Sequence, residues 1–134
     1  MRIIISNSSK EPIYEQIKRQ IKESILRGEL KENELLPSIR QLAKDLQISV
    51  ITTKRAYDDL EQEGLIVSIV GKGSYVAGQN REYVREMRLR WIEEKLAEVV
   101  VESKALNVTL PELIQMLELL YEDPAGIETG SQGL

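Results

Sequence analysis

Apolar residues recur every fourth position near the start of the chain, where Ile13, Ile17, Ile21 and Ile25 mark one stripe of an amphipathic helix. Pro12 fits the first turn of that helix, where a missing N–H costs nothing, and Gly28 after Arg27 ends it, which places the helix at 12–27. Ahead of it, Arg2–Ser6 reads as a short strand. Residues 29–36 form a loop carrying Leu30, Leu35 and Leu36, and Pro37 holds Leu36 extended. Ser38, with Gln41 three residues on, makes a capping box for a short helix from Ile39 to Leu46. Its inward positions are Ile39, Leu42, Ala43 and Leu46. After a brief turn at Gln47-Ile48, Ser49 caps a further helix whose face is Ala56, Tyr57 and Leu60, ended by Gly64. Two helices joined by so tight a turn form a helix-turn-helix pattern.

The period then changes. Leu65–Val70 and Ser74–Ala77 are β-branched or aromatic runs separated by Gly71-Lys72-Gly73, which predicts a hairpin. A hairpin directly after the second helix of a helix-turn-helix is a wing. Past Gly78, the residues Leu89, Ile92, Leu96, Val99, Ser103 and Leu106 follow a heptad-like spacing on a helix at 81–105, with Val84, Met87 and Trp91 on a second face. At about 1.5 Å per residue that helix is too long to be covered by the head alone. Thr109 and Glu112 form another capping box, for a helix carrying Leu113, Ile114, Leu117, Leu120 and Tyr121. The expected architecture is mainly α with a small β wing: a winged helix-turn-helix domain over residues 1–78, then a two-helix dimerisation tail over 79–123. Residues 124–134, rich in glycine and small polar residues, are expected to be disordered.

Composition narrows the function. The chain has no cysteine and no histidine, which excludes a disulfide framework, Cys/His zinc sites and nucleophile–histidine catalysis. No enzyme activity and no cofactor are expected. The apolar run in Met1–Ser6 is too short for a signal peptide, and no stretch approaches membrane-spanning length, so a cytoplasmic location and no membrane partner are expected. The net charge of −4 taken alone disfavours nucleic acid. Yet residues 1–78 carry 12 Lys/Arg and 11 Asp/Glu, whereas residues 79–134 carry 6 and 11. The acidity belongs to the tail, and a nearly neutral head binds DNA if its cations share one face.

The run Leu36-Pro37-Ser38-Ile39-Arg40-Gln41-Leu42-Ala43 resembles the LPSxRxLA motif of the GntR family of bacterial transcription regulators. The likeness extends through Pro12–Ile17, Ile48-Ser49 with Thr52 and Ala56-Tyr57, Leu60–Ile66, and Gly71–Val76. It covers residues 12–77 without a gap. The short remainder is similar to the YtrA-like subfamily, whose helical tail mediates dimerisation. The resemblance implies a homodimeric regulator, a repressor by family habit, that binds an inverted-repeat operator in double-stranded DNA. It leaves a small-molecule effector open. Two departures stand out. Val50 and Ile51 replace an arginine and a small polar residue that many relatives carry, and Thr53 occupies a position that is commonly apolar. The Thr53 side chain is expected to be buried and bonded to the backbone.

Each candidate contact has a plainer alternative. Arg40, poorly placed for the helix dipole, is assigned to DNA by the resemblance, with a structural salt bridge as the alternative. Ser38 and Ser49 cap helices, and the free N–H groups behind them also attract phosphate. Val50, Ile51, Lys54 and Arg55 lie opposite Ala56, Tyr57 and Leu60, on the face expected to meet DNA together with Thr52. A solvated face is the alternative for Arg55, and a place in the core is the alternative for Val50 and Ile51. Gly71 and Gly73 serve a tight turn in any case, and Lys72 at its tip is a candidate phosphate contact. A phosphate-binding loop is excluded there, because Ile66 stands where the obligatory glycine should be and no Ser/Thr follows Lys72 at once. The pairs Asp58-Asp59 and Glu93-Glu94 read as solvated faces, not acid–base dyads. Leu89, Ile92, Leu96 and Val99, with Leu113, Leu117 and Leu120, are assigned to dimerisation. The rival from another class is a winged-helix protein-interaction module with no DNA target.

Overall fold

A computed structural model describes residues 1–123. The expected disorder of residues 124–134 lies outside the described residues. In chain order the elements are α1 (Ile13–Leu26), α2 (Ile39–Leu46), α3 (Val50–Gln62), β1 (Ile66–Ile69), β2 (Gly73–Val76), α4 (Arg81–Ala105) and α5 (Leu110–Glu122). The chain divides into two compact units, one ending at Val84 and the other beginning at Arg85, within α4. Mainly α with a small β wing is therefore the architecture. No helix among the described residues is long and apolar enough to cross a membrane.

In the first unit, α3 is the element on which α1, α2 and β1 all pack. Ile17, Ile21, Ile25 and Leu26 from α1 meet Ala56, Tyr57 and Leu60 from α3 in a core completed by Leu42, Ala43, Leu65, Ile66 and Val76. Leu30 and Leu36, from the loop before α2, are buried with them. Tyr57 is the largest fully buried side chain, and its hydroxyl donates to the Pro37 carbonyl at 2.8 Å. Thr53 is also buried, and its hydroxyl donates to the Ser49 carbonyl one turn back at 3.1 Å, as the expectation for that position required.

The helix ends differ in detail from the sequence reading. Pro12 precedes α1 and does not lie within its first turn; its carbonyl accepts from Glu15 and Gln16 N–H groups. Ser38 accepts from the Gln41 N–H, but Gln41 turns its own amide to Asp45, so only half of the expected capping box forms. Between α2 and α3, Gln47 adopts the left-handed conformation at φ 57°, and the Ile48 N–H returns to the Ala43 carbonyl. Ser49 then caps α3 by accepting from Thr52 N–H.

Arg2–Ser6 is not a strand. Two glutamines of α1 take the place of a neighbouring strand: Gln20 accepts from the Ile4 N–H and donates to the Ile4 carbonyl. Gln16 does the same for Ser6. A glutamine amide sets an NH2 donor group beside a carbonyl acceptor, so it satisfies both backbone groups of one extended residue, and Gln16 also donates to the Glu11 carbonyl. Gln16 is buried to do so, an exception to the rule that glutamine stays outside.

The wing pairs β1 and β2 antiparallel, with Ile66 opposite Val76 and Ile69 opposite Gly73. The connection is Val70–Lys72, not Gly71–Gly73, and it closes with Lys72 N–H on the Ile69 carbonyl. Gly73 therefore belongs to β2. Its φ of 113° favours glycine, and a Cβ there would crowd the Leu35 methyl at 3.1 Å. The loop before α2 also enters the sheet. Asn33 and Leu36 donate to the Val76 and Ser74 carbonyls, Val76 donates to Glu34, and Leu35 bridges Tyr75. Residues 29–36, expected to be loop, thus lend the hairpin a short third partner.

In the second unit, α5 opens with the expected capping box, in which Thr109 and Glu112 satisfy each other's N–H groups. The start of α4 is held by Asn80, which accepts from the Glu82 and Tyr83 N–H groups. Neither α4 nor α5 contains a buried residue.

Tyr57 supplies a test of the head's stability. Burial pushes its hydroxyl above the ordinary phenol range, so the folded state favours the neutral ring. Its contribution is complete below the unfolded value of about 10 and is lost as pH rises above it, because only the unfolded chain ionises there readily. Tyr57→Phe should lower stability by about 1 kcal/mol at neutral pH. Denaturant titrations should also show the decline above pH about 10 weakened in this variant.

Candidate nucleic-acid interface

The first turn of α3 is aimed away from the core that anchors its middle. Ala56, Tyr57 and Leu60 are buried, while Val50 is 46% and Ile51 82% exposed. The core reading for these two residues is thereby overturned. Helical geometry explains the split, since positions 53, 56, 57 and 60 line one face and 50, 51, 54, 55 and 58 the other.

Around these two residues the polar groups are already arranged. The Ser49 hydroxyl accepts from Thr52 N–H and donates to the Thr52 hydroxyl at 2.8 Å, which uses its donor. Thr52 retains its own hydroxyl proton for a ligand. Lys54 is paired with Asp58 at 2.7 Å, an i,i+4 pair on an exposed face. Arg55 lies over the Tyr14 ring of α1, 3.7 Å from its centre. Sequence reading missed this contact, because Tyr14 and Arg55 are far apart in the chain and meet only when α1 packs on α3. The interaction is a cation–π stack, which leaves Arg55 exposed and its N–H groups available.

Other cations are less engaged. Arg40 and Lys44 lie one turn apart on α2, both exposed, and neither forms an ion pair among the described residues. The salt bridge weighed for Arg40 is absent from that set. Lys44 was not singled out in the sequence, although its i,i+4 spacing from Arg40 puts both on one side of the helix. Lys72 is exposed at the turn of the wing beside Gly71, whose φ of 79° the turn requires. By contrast, Lys18 and Lys22 of α1 both hold Glu63 at the far end of α3, and they brace the fold.

Ser38, Arg40, Ser49, Val50, Ile51, Thr52, Lys54, Arg55, Gly71, Lys72 and Gly73 all belong to the first unit, on three successive elements: the start of α2, the first two turns of α3, and the hairpin. Such an arrangement offers hydroxyls and cations to anions, and an apolar step at the start of α3 between them. Among the described residues there is no group of His, Cys, Asp and Glu able to hold a metal ion.

Known proteins share this plan. The chain is 33% identical to the HTH-type transcriptional repressor YtrA of Bacillus subtilis, over 92% of its own length and 95% of the relative's. A crystal structure of a transcriptional regulator from Oenococcus oeni is 26% identical, with a TM-score of 0.69, over 87% of this chain and 97% of that one. The DNA-binding domain of AraR, crystallised with its operator ORX1, is 26% identical with a TM-score of 0.51, over 57% of this chain and 96% of that one. The family model for bacterial regulatory proteins of the gntR family matches residues 13–76, from the start of α1 to the end of β2. With its helix-turn-helix, its wing and the spacing between them, this chain belongs to the gntR family of bacterial regulatory proteins.

Proposed function

We propose that this protein is a cytoplasmic, homodimeric transcriptional repressor that binds an inverted-repeat operator in double-stranded DNA. The observation that carries the reading is the outward-facing first turn of α3, set on a closed core and flanked by α2 and the wing, in the fold of a domain crystallised on its operator. In this reading α3 enters the major groove, while Ser38, Arg40, Lys54, Arg55 and Lys72 position the head on phosphates and base edges. The repressor role rests on the relative from Bacillus subtilis.

Residues 79–123 are the dimerisation region in this reading. Leu89, Ile92, Leu96 and Val99 of α4 are all between two-fifths and three-fifths exposed, as are Leu117 and Leu120 of α5, and Leu113 is half-buried. The helix α5 is strongly apolar, with Leu110, Leu113, Ile114, Leu117, Leu120 and Tyr121 on one broad face and Gln115, Glu118 and Glu122 on the other. So wide an apolar face calls for cover, and no residue of α5 is buried in the single chain. A second copy supplies the missing cover, and its two-fold symmetry matches an operator read twice in opposite directions.

Two measurements test the proposal. Leu96→Asp with Leu117→Asp in the full chain puts carboxylates into the expected apolar interface. The variant should sediment as a monomer where the parent is a dimer, and bind operator DNA about a hundredfold more weakly. A parent that sediments as a monomer with full operator affinity would refute the tail's role. Lys72→Ala should weaken binding to all duplexes about equally and lower the slope of log affinity against log salt by about 0.9. An unchanged slope would remove the wing tip from the interface, and no salt-dependent binding to duplex DNA at all would favour a protein-interaction module.

A further inference from the structure

The two cations that α3 carries are both engaged within the protein. Lys54 is held by Asp58, and Arg55 lies over the Tyr14 ring. Ahead of them on the same face stand Val50 and Ile51, both exposed and neither part of the buried core. A single exposed aliphatic residue means little, because much of any protein surface is apolar. These two are different in their position. They occupy the first turn of the helix that the proposed function puts in the major groove, between the two residues of the Ser49–Thr52 hydroxyl pair.

We infer that Ile51, with Val50 beside it, reads the C5 methyl groups of thymine, so that this step of each half-site is specified by apolar contact and not by a guanidinium on guanine. Of the four bases only thymine presents a methyl group in the major groove, and an aliphatic side chain has no donor or acceptor with which to favour the others. Thr52, the neighbouring polar side chain, can donate a hydrogen bond to acceptors on several base edges and cannot by itself select thymine. The operator is therefore expected to carry thymine, alone or paired, opposite the start of α3. This inference rests on the reading that α3 enters the groove.

Uracil separates the two ideas, because it lacks the methyl of thymine and keeps the same hydrogen-bonding edge. Duplexes are enriched from a random pool with the full-length protein, and each invariant thymine is then replaced singly by deoxyuridine. One or two replacements per half-site should weaken binding about fourfold each, the worth of one buried methyl. Against Ile51→Ala those same replacements should cause little or no loss. Melting of the variant should match the parent, since Ile51 contributes nothing to the core. Equal binding of thymine and uracil duplexes at every position overturns the inference and leaves DNA binding intact. So does an undiminished loss in the Ile51→Ala variant. If no duplex is enriched, the proposed function falls together with it.

Discussion

The hydrogen bond from Tyr57 to the Pro37 carbonyl joins the two halves of the helix-turn-helix. Tyr57 sits in the middle of α3, and Pro37 immediately precedes the cap of α2. The bond ties the residue before the α2 cap to the middle of α3 and so constrains where α2 starts. A phenol so deeply buried needs a partner for its hydroxyl, and a proline carbonyl is a suitable one, because Pro37 and the extended Leu36 hold it in place. With that distance fixed, the rest of the head packs around α3. Ile17 and Ile21 close one side, Leu42 and Ala43 the other, and Ile66 brings the hairpin against the end.

Much of this was legible in the sequence, because it is written in local chemistry. Ser38, Ser49 and Thr109 announce helix starts by a hydroxyl that can reach an N–H two or three residues on, a signal independent of anything distant. Gly28 and Gly64 announce ends for the same reason, since each adopts a φ of 79° that side chains resist. What stayed hidden was settled across long separations. Leu35 and Tyr75 pair over a gap that no periodicity bridges, so the loop before α2 looked structureless. Gln16 and Gln20 could not be told from ordinary surface glutamines until the N-terminal segment lay against α1.

The candidate site divides in the same way. The positions on the outer face of α3 follow from helical period alone, and Val50 and Ile51 are indeed outside. The partners of its cations do not follow so directly. Lys54 with Asp58 is a spacing visible in the chain, whereas Arg55 with Tyr14 exists only in the packed fold. A cation that looks free in a sequence has a different chemical character once an aromatic ring lies beneath it.

The short third partner of the wing has a mechanical consequence. Because Asn33, Leu35 and Leu36 are stitched to β2, the base of the hairpin is continuous with the segment that leads into α2. The hairpin is thus no free-swinging flap but a lever clamped at its root, and only the stretch from Ile69 to Gly73 lies beyond the clamp. Changes in length are more tolerable at that tip, where the Tyr75 hydroxyl reaches the Lys72 carbonyl but the segment before α2 makes no backbone hydrogen bond. An inserted residue near position 35 would slip the register of the bridge, turn Leu35 to the opposite face and move the start of α2 at the same time. Variation in how far the wing reaches is therefore confined to a few residues, and variation in where it is rooted would disturb the whole head.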